Sequence, residues 1–350
     1  MNAPLEPIRL SKDGRHFAYE NSGERFLAWG FNYDHDANGR LLEDYWEREW
    51  PTVVGDFQEM KALGANVVRV HLQVGRFLRS AKEPDPQALK QLARLVTLAE
   101  TTGLYLDITG LGCYHKKEVP VWYDALSESA RWEAQAVFWA AIAKVCTSSP
   151  AIFCYDLMNE PVVPSPGTKE TKEKEWLVGE FGGKNFVQRI TLDLAGRTED
   201  DVARRWIETL VSAIRPQDPK RLITLGVIPW AQVFPGAKPQ FYTKEVGQKL
   251  DFVSVHFYPK KGEVEKALTA LATYAIGKPL VIEEMFPLEC SVPELDAFIE
   301  GSRKLADGWI GFYWGKTIEE LAREKKPSIG SVITRRWLEY FRAKKLTRSL

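Results

Sequence analysis

Apolar residues in this chain form short runs that alternate with longer segments of helical periodicity. The runs, bounded by Gly, Pro and polar residues, predict eight strands: Phe26–Phe31, Asn66–His71, Leu104–Ile108, Ala151–Leu157, Arg221–Val227, Asp251–Phe257, Pro279–Glu283 and Trp309–Trp314. The intervening segments predict helices at Val53–Leu63, Pro86–Thr101, Ala130–Cys146 and Asp200–Ile214, with shorter ones at Lys244–Gln248, Val264–Ala275, Pro293–Lys304, Ile318–Arg323 and Ile333–Lys345. Gly64 and Gly103 stand where helices should end.

The alternation of eight strands with helices determines the predicted fold class. Strands that are apolar on both faces are typical of a parallel sheet covered by helices. We therefore predict an α/β fold, a (β/α)8 TIM barrel, with residues 1–350 forming one catalytic domain. The main alternative is a doubly wound open sheet, which needs fewer strands and usually a Gly-rich first turn. The sequence contains neither GxGxxG nor a P-loop.

Two segments lie outside the repeat. Ile8–Ala28 predicts a β-hairpin around the turn Ser11–Arg15, which could close one end of the barrel. Val162–Arg197, rich in Lys, Glu and Gly, is a long insertion after strand four. It would lie over the face where barrel enzymes carry their chemistry, either as a lid or substrate wall or as a plain surface excursion.

Net charge and the lengths of the apolar runs limit the kinds of molecule that the protein is expected to bind. Lys+Arg and Asp+Glu each number 47, so the formal net charge is zero, and we expect no nucleic-acid or membrane partner. No apolar run approaches the ~20 residues of a membrane span. The start Met1–Pro7 lacks the features of a secretory signal, which leaves a cytoplasmic protein and a trimmed secreted one both open. Oligomeric state is also left open.

The four cysteines show neither a CxxC pair nor zinc-ligand spacing. Cys146 and Cys154 are predicted to be reduced core residues. Cys113 and Cys290 fall in or near loops, and a bridge between them stays open.

Polar residues at the predicted strand ends suggest the chemistry, because active sites of barrels form at those ends. The candidates are Arg69, His71, Asn159, Glu160, His256, Tyr258, Glu283, Glu284 and Trp314. Two carboxylates on opposite sides of one mouth suit glycosidic bond cleavage. One must be protonated to assist the leaving group, and the other ionised to attack the anomeric carbon. An arginine nearby would keep the second one ionised.

Five pieces of sequence, in order, resemble glycoside hydrolase family 5, the cellulase and mannanase family of retaining (β/α)8 glycosidases. They are the strand-two arginine in Asn66-Val67-Val68-Arg69, the acid/base signature Asn159-Glu160-Pro161, the strand-six His256-Phe257-Tyr258, the run Lys278-Pro279-Leu280-Val281-Ile282-Glu283-Glu284 and the strand-eight Trp314. The resemblance spans roughly Ala28 to Trp314.

The resemblance implies a retaining β-glycosidase that acts on a carbohydrate with β-linked gluco- or manno-configured sugars and needs no metal or organic cofactor. It implies that Glu160 is the acid/base and that Glu284 forms the covalent glycosyl-enzyme. Asn159 would hold the sugar 2-hydroxyl, and Arg69 and Tyr258 would orient Glu284.

His256 would lie beside Glu160, and Trp314 would form the floor of the subsite for the reacting sugar. Trp122, Trp176 and Trp230, on loops at the mouth, are candidates for outer subsites, since sugar rings stack on aromatic faces. Most of the 12 tryptophans are expected to pack in the core.

The sequence departs from the family at two places. Thr109 stands at the end of strand three, where a histidine is expected, and His115 is predicted to enter the site in its place. Met285-Phe286 follows the nucleophile instead of an aromatic-Gly pair. Both departures concern the sugar subsites more than the reaction.

Glu284 is preferred over Glu283 as the nucleophile. Because side chains alternate along a strand, only one of two neighbours should face the barrel axis. The resemblance assigns the role to the last position of the run, Glu284. Its carboxyl is expected to lie about 5–5.5 Å from that of Glu160, the retaining distance.

There are three alternatives to this function. A transglycosylase would use the same site with another acceptor, and a non-catalytic carbohydrate-binding barrel would have no use for both glutamates. A metal-dependent barrel hydrolase is disfavoured because Asn32 stands where strand one would carry an HxH motif. The sugar, the linkage and endo versus exo attack are left open.

Overall fold

The computed structural model describes residues 4–164, 175–344 and 346, and within them a parallel barrel. Its strands are Ala28–Asn32, Val67–Gln73, Tyr105–Gly112, Ile152–Asp156, Leu222–Thr224 continued by Gly226–Val227, Val253–His256, Leu280–Glu284 and Gly308–Phe312. Each strand pairs in parallel with the next, and the last pairs with the first over five residue pairs, from Gly308–Ala28 to Phe312–Asn32. All eight predicted strands are present, and the (β/α)8 fold is confirmed.

The fifth strand is interrupted at Leu225, and the side chain of Tyr242 bonds to the backbone at the interruption. Its first half pairs with strand four and its second half with strand six. The Tyr242 hydroxyl accepts the N–H groups of Leu225 at 3.1 Å and Ser254 at 2.9 Å, and it donates to the Leu225 carbonyl at 2.5 Å. This hydroxyl therefore satisfies backbone groups that the interrupted ladder leaves unpaired.

Helices cover the outside of the barrel. The longer ones are Trp50–Ala62, Pro86–Thr102, Glu128–Cys146, Glu199–Ile214, Val264–Ala272, Val292–Ser302, Ile318–Arg323 and Ile329–Ala343. Short helices occur at Leu42–Tyr45, Val74–Phe77, Val121–Asp124 and Trp230–Val233, and 3-10 turns at Lys116–Glu118, Gln240–Tyr242 and Gly247–Lys249. None of the helices in the described ranges is both long and apolar enough to cross a membrane.

Two helix predictions need correction. The predicted helix Lys244–Gln248 is only a 3-10 turn at Gly247–Lys249, because so short a segment cannot offset the cost of nucleation. The terminal helix begins at Ile329 rather than Ile333, since the Ser328 hydroxyl accepts the Ser331 N–H and caps it.

The N-terminal segment closes the lower end of the barrel. Ile8–Leu10, Phe17–Tyr19 and Arg25–Phe26 form a small antiparallel sheet, one strand more than the predicted hairpin. The side chains of Ile8, Phe17 and Phe26 are buried in a cluster with residues at the starts of the barrel strands, among them Val67, Tyr105, Phe153 and Phe252. This cluster fills the end of the barrel at which the strands begin.

The insertion after strand four folds back over the opposite end. Pro161–Val162, Val187–Arg189 and Leu177–Val178 form a second small sheet. A hairpin of Leu78–Ser80 and Glu83–Pro84 lies after strand two. All four cysteines lie within the described residues and are free thiols, so Cys113 and Cys290 are not bridged, and Cys146 and Cys154 are buried as predicted.

Candidate active site

Glu160 and Glu284 lie on opposite sides of the open barrel mouth. Glu160 follows strand four, and Glu284 is the last residue of strand seven. Both line a cavity of about 480 Å³. One carboxylate oxygen of Glu160 lies within 4.8 Å of one of Glu284. A sugar ring between them could be reached by both carboxyl groups at its anomeric carbon.

Glu284 is held by three side chains. Arg69 Nη1 donates to it at 2.8 Å and the Tyr258 hydroxyl at 2.7 Å, while His256 Nδ1 lies 3.4 Å away. Burial raises the pKa of this carboxyl above its ordinary value, and Glu160 adds to the rise; His256 and Arg69 act against it. These contacts fix the orientation of the carboxylate toward the cavity.

His256 lies between Glu160 and Glu284 and interacts with both carboxylates. Its Nδ1 donates to Glu160 Oε1 at 2.9 Å, and its Nε2 lies 3.6 Å from Glu283. Burial lowers the pKa of His256, but the charges of Glu284, Glu160 and Glu283 outweigh burial and raise the pKa to about 10. The ring is therefore an imidazolium at neutral pH, and both of its nitrogens carry protons.

Arg69 is the fully buried centre of the polar cluster. Its two terminal nitrogens donate to Asn32 Oδ1 at 2.9 Å, Asp156 at 2.7 Å, Asn159 Oδ1 at 2.9 Å and Glu284 at 2.8 Å. The guanidinium fork thus aligns side chains from strands one, four and seven. Asn159 also lines the cavity.

Glu283 occupies a different environment from its neighbour. Its fully buried carboxylate accepts from Ser254 Oγ at 3.0 Å and lies 3.5 Å from Arg69. Burial alone would raise the pKa of Glu283, but Arg69 and His256 hold it at about 2. Glu283 does not line the cavity, whereas Glu284 does.

The argument that only one of the two glutamates would face inward is wrong at this strand end. The register between strands six and seven shifts, so that Val255 pairs with Ile282 but His256 pairs with Glu284. Glu283 is therefore the extra residue of a β-bulge, and both carboxylates reach Arg69. Position in the cavity, rather than alternation, separates the two residues.

A second layer of carboxyl groups lies beneath the cavity. Burial and the nearby charge of Glu283 raise the pKa of Asp107 well above its usual range, against the effect of Arg69. Burial likewise raises the pKa of Asp156, to about 6. Thr109 donates to Asp156 at 2.9 Å, which places Thr109 inside the barrel rather than in the cavity wall.

Aromatic side chains cover one wall of the cavity. Trp314, predicted from the sequence, packs with its ring centroid 5.0 Å from that of Phe286 and 5.3 Å from that of Phe312. The insertion contributes Phe181 and Phe186. The insertion is thus part of the cavity wall.

The other predicted aromatic residues and His115 lie elsewhere. His115 lines a separate, smaller cavity with Gln73 and Tyr114. Trp176 is buried, with Arg131 stacked 4.3 Å from its ring centroid. Trp122 packs partly buried against the core, and Trp230, 36% exposed, stacks on Phe234. In the described part of the chain none of these four residues lines the cavity with the glutamates.

Two cavity residues after strand one, Asp34 and His35, were not among the predicted site residues. The rule that located the others, polar side chains at strand ends, also applies to them. His71, a candidate at the end of strand two, also lines the cavity. Lys184 and Glu180, from the insertion, complete the polar lining. No motif in the sequence pointed to either residue.

A metal could be considered only where several donors converge. Among the described residues, Glu160, His256 and Glu284 form such a group, with donor atoms within 4.8 Å of one another. Arg69 and the protonated His256 already supply positive charge to these carboxylates, and an imidazolium has no lone pair for a cation. The donor set therefore does not suit a metal ion.

A parallel barrel with two opposed glutamates, an arginine and an aromatic wall at its open mouth defines the class of glycoside hydrolases. The family model described as "Cellulase (glycosyl hydrolase family 5)" matches residues 29–317. The chain belongs to that family. No curated protein sequence matches it.

Solved structures with the same fold include three mannan-related enzymes. An exo-beta-1,4-mannosidase from the Opitutaceae bacterium strain TAV5 has a TM-score of 0.69 at 17% identity, and the match covers 95% of this chain and 61% of that one. A beta-mannanase from the blue mussel Mytilus edulis has a TM-score of 0.59 at 15% identity, with 98% and 97% covered. A beta-1,4-mannanase from the sea hare Aplysia kurodai has a TM-score of 0.57 at 16% identity, with 87% and 92% covered.

Proposed function

We propose that this protein hydrolyses β-glycosidic bonds with retention of configuration, with Glu160 as acid/base and Glu284 as nucleophile. The observation that carries the proposal is the separation within 4.8 Å between carboxylate oxygens of the two residues across one cavity. A retaining site needs about 5–5.5 Å between its carboxyl groups, whereas an inverting one needs about 6.5–9.5 Å to admit water. An approach of two of their oxygens to within 4.8 Å supports the first arrangement.

In the proposed reaction Glu284 attacks the anomeric carbon while Glu160 protonates the departing oxygen. Glu160 then takes a proton from water, which attacks the same carbon and releases Glu284. Arg69 and Tyr258 keep Glu284 aimed at the sugar. His256 carries a proton on Nδ1 and so stabilises each charged carboxylate in turn.

Glu283 is excluded from the nucleophilic role in this proposal by its position. Its carboxylate lies under the cavity, bound to Ser254 and beside Arg69. We assign it a positioning role, in which its negative charge helps to keep His256 protonated.

We propose β-linked mannose- or glucose-configured sugars as substrates, with mannosides first. The family model carries the name Cellulase, and three structural neighbours are named as a mannosidase and mannanases. The wall formed by Trp314, Phe286 and Phe312 suits the C–H face of a pyranose ring, and Asn159 stands beside Glu160 for the 2-hydroxyl.

The test is to follow hydrolysis of 4-nitrophenyl β-mannoside and β-glucoside by proton NMR. Retention predicts that the β-anomer of the free sugar appears first and then mutarotates. Glu284→Gln serves as the matched control, because it keeps the size of the side chain and removes the nucleophile. First release of the α-anomer, or equal activity of the Glu284→Gln protein, would contradict the proposal. Glycoside products that dominate at high acceptor concentration would identify a transglycosylase instead.

A further inference from the structure

Asp107, on strand three, has a fully buried carboxyl that the proposed reaction does not use. It pairs with Arg69 on strand two and with Cys154 on strand four. Residues paired across neighbouring strands point to the same face of the sheet, and Arg69 points inward. The Asp107 side chain therefore lies inside the barrel, beneath the cavity of the two glutamates.

The surroundings of Asp107 favour a neutral carboxyl. Neither of its oxygens accepts a hydrogen bond within the described part of the chain. Cys154 offers only a thiol, which is a weak donor. Arg69 forms its ion pairs with three other carboxylates, those of Asp156, Glu283 and Glu284. An ionised carboxylate buried without a cation or a strong donor would cost far more free energy than a neutral carboxylic acid.

Asp107 faces a second carboxyl that lacks a donor. The carboxyls of Asp107 and Glu283, on strand seven, lie within hydrogen-bonding reach of each other. Glu283 Oε1 accepts from Ser254 Oγ at 3.0 Å, whereas the buried Oε2 receives no hydrogen bond from a described residue. Two ionised carboxylates at this range would repel each other, while a proton between them forms a hydrogen bond. An O–H group on Asp107 would give Glu283 its missing donor.

The environment assigns this proton to Asp107 rather than to Glu283. The charge of Glu283 is balanced by Arg69 at 3.5 Å and His256 at 3.6 Å. Asp107 has no such balance, and Asp156 adds negative charge near it. The pKa values agree with this assignment. Burial raises the pKa of Asp107 well above its usual range, whereas Arg69 and His256 outweigh burial at Glu283 and hold its pKa at about 2.

Through Glu283, Asp107 is connected to the proposed acid/base. His256 Nε2 lies 3.6 Å from Glu283, and His256 Nδ1 lies 2.9 Å from Glu160 Oε1. The negative charge of Glu283 helps to keep His256 protonated. A hydrogen bond donated by Asp107 would stabilise this charged form of Glu283 and fix the direction of its carboxylate.

We propose that Asp107 is a neutral positioning residue, which donates a hydrogen bond to Glu283 and so maintains the negative charge on which the proton of His256 depends. The inference rests on the proposed function for its effect on hydrolysis, and it adds a residue of strand three to the site. Asp107 does not line the cavity and acts only through Glu283 and His256.

Infrared spectroscopy tests the neutral state of Asp107 directly. A protonated carboxylic acid has a C=O stretching band that a carboxylate lacks. The wild type and Asp107→Asn are compared well above the pKa of about 6 of Asp156, so that Asp156 is ionised in both. The wild type should show one such band that Asp107→Asn lacks. Loss of a carboxylate band instead would show an ionised Asp107 and would overturn the proposal.

The effect on His256 is followed by the NMR titration of its imidazole, assigned with His256→Gln. Asp107→Asn keeps an N–H donor and adds no charge, so the pKa of His256 should stay near about 10. Asp107→Ala removes the donor and should shift the titration to lower pH. A downward shift in Asp107→Asn, which is expected only if an ionised carboxylate has been removed, would overturn the proposal. An unshifted titration in a folded Asp107→Ala protein would overturn it too.

Ile108→Ala is the matched control for lost volume. Ile108 is the next residue of strand three, is also fully buried, and points to the opposite face, where it packs in the outer core. Its truncation should lower stability and leave the titration of His256 unchanged. A shift as large as that of Asp107→Ala would show that packing alone moves the titration, and it would overturn the proposal.

Activity measurements connect the hydrogen bond to the reaction. On the best 4-nitrophenyl β-glycoside, Asp107→Asn should keep kcat/KM within about threefold, and Asp107→Ala should lose about 10-fold or more, mainly in kcat. Equal losses in the two variants would overturn the positioning role. The infrared and NMR measurements need no substrate. A protein that hydrolyses no β-glycoside would therefore contradict the proposed function, while the infrared band would still decide the state of Asp107.

Discussion

Glu160, the proposed acid/base, has an unusual backbone conformation. Its φ is +47°, in the left-handed region that side chains with a Cβ seldom adopt. The conformation is held because the Glu160 N–H donates to the Gly226 carbonyl at 2.9 Å. Such local strain is typical of functional sites, where the surrounding structure enforces it. The Asn-Glu-Pro motif predicted the residue but not its conformation, which depends on strand five.

Replacing Glu160 with Gly should separate the strain from the chemistry. Gly adopts positive φ without steric cost, so Glu160→Gly should melt at a higher temperature than Glu160→Gln. Both variants should lose activity by about 10²-fold or more on substrates with poor leaving groups. Azide should restore turnover of Glu160→Gly on an activated aryl glycoside and give the β-glycosyl azide. An α-azide would show that Glu160 is not the acid/base.

His256 gives the site a distinct pH dependence of stability. Its pKa of about 10 lies above the ordinary value of 6.5. A raised pKa means that the stabilisation is fully present below about pH 6.5 and is lost as pH rises through about 10. The difference in free energy of unfolding between wild type and His256→Gln should therefore shrink from pH 6.5 to 10, measured by urea denaturation. A difference that stays constant over this range would show a neutral His256.

At the scale of single elements, the end of strand seven matters most. The run of apolar residues into Glu283-Glu284 predicted the strand correctly, because period and composition are local properties. The bulge opposite His256 could not be predicted, since it arises from pairing with strand six and no Gly or Pro stands next to Glu283 to mark it. Two adjacent carboxylates therefore share Arg69, and only their depth in the barrel distinguishes them.

Gly226, in the second half of strand five, should tolerate no larger residue. A Cβ there would lie 2.4 Å from Glu283 Oε2 and 2.7 Å from His256 Nε2. Gly226→Ala should cost about 1–3 kcal/mol of stability by overpacking and should also displace His256 and lower kcat. Gly55→Ala is the control: a Cβ there meets nothing within 4 Å, and the change should stabilise its helix by about 0.5–1 kcal/mol. Chemical denaturation measures both changes, and equal effects would contradict the packing argument.

At the scale of the whole molecule, the barrel and its closed lower end followed from the sequence. Buried strands, capped helices and a turn between short strands are each encoded nearby in the chain. The paths of the loops at the mouth of the barrel are not encoded locally in this way. Trp176 lies in the insertion predicted to form the wall, yet its ring is buried beside Arg131, and its indole donates to the Asp124 carbonyl at 3.3 Å. His115 was predicted to enter the site but lines a neighbouring cavity. The position of its loop, too, depends on contacts with residues distant in the sequence.

The contact between the insertion and the loop after strand one is likewise a property of the whole fold. Lys184 Nζ, in the insertion, lies 3.3 Å from the point where a Cβ on Gly39 would stand. The sequence predicted that the insertion lay near the mouth, but not which loop it would meet.

The central claim, that Glu284 attacks the sugar, is tested most directly by trapping the glycosyl-enzyme. A 2,4-dinitrophenyl 2-deoxy-2-fluoro-β-glycoside of the preferred sugar slows both steps but keeps a good leaving group, so the intermediate should accumulate. Intact-mass measurement should show one fluorosugar per chain, and peptide mapping should place it on Glu284. A fluorosugar on Glu283, or continued turnover without any adduct, would contradict the account.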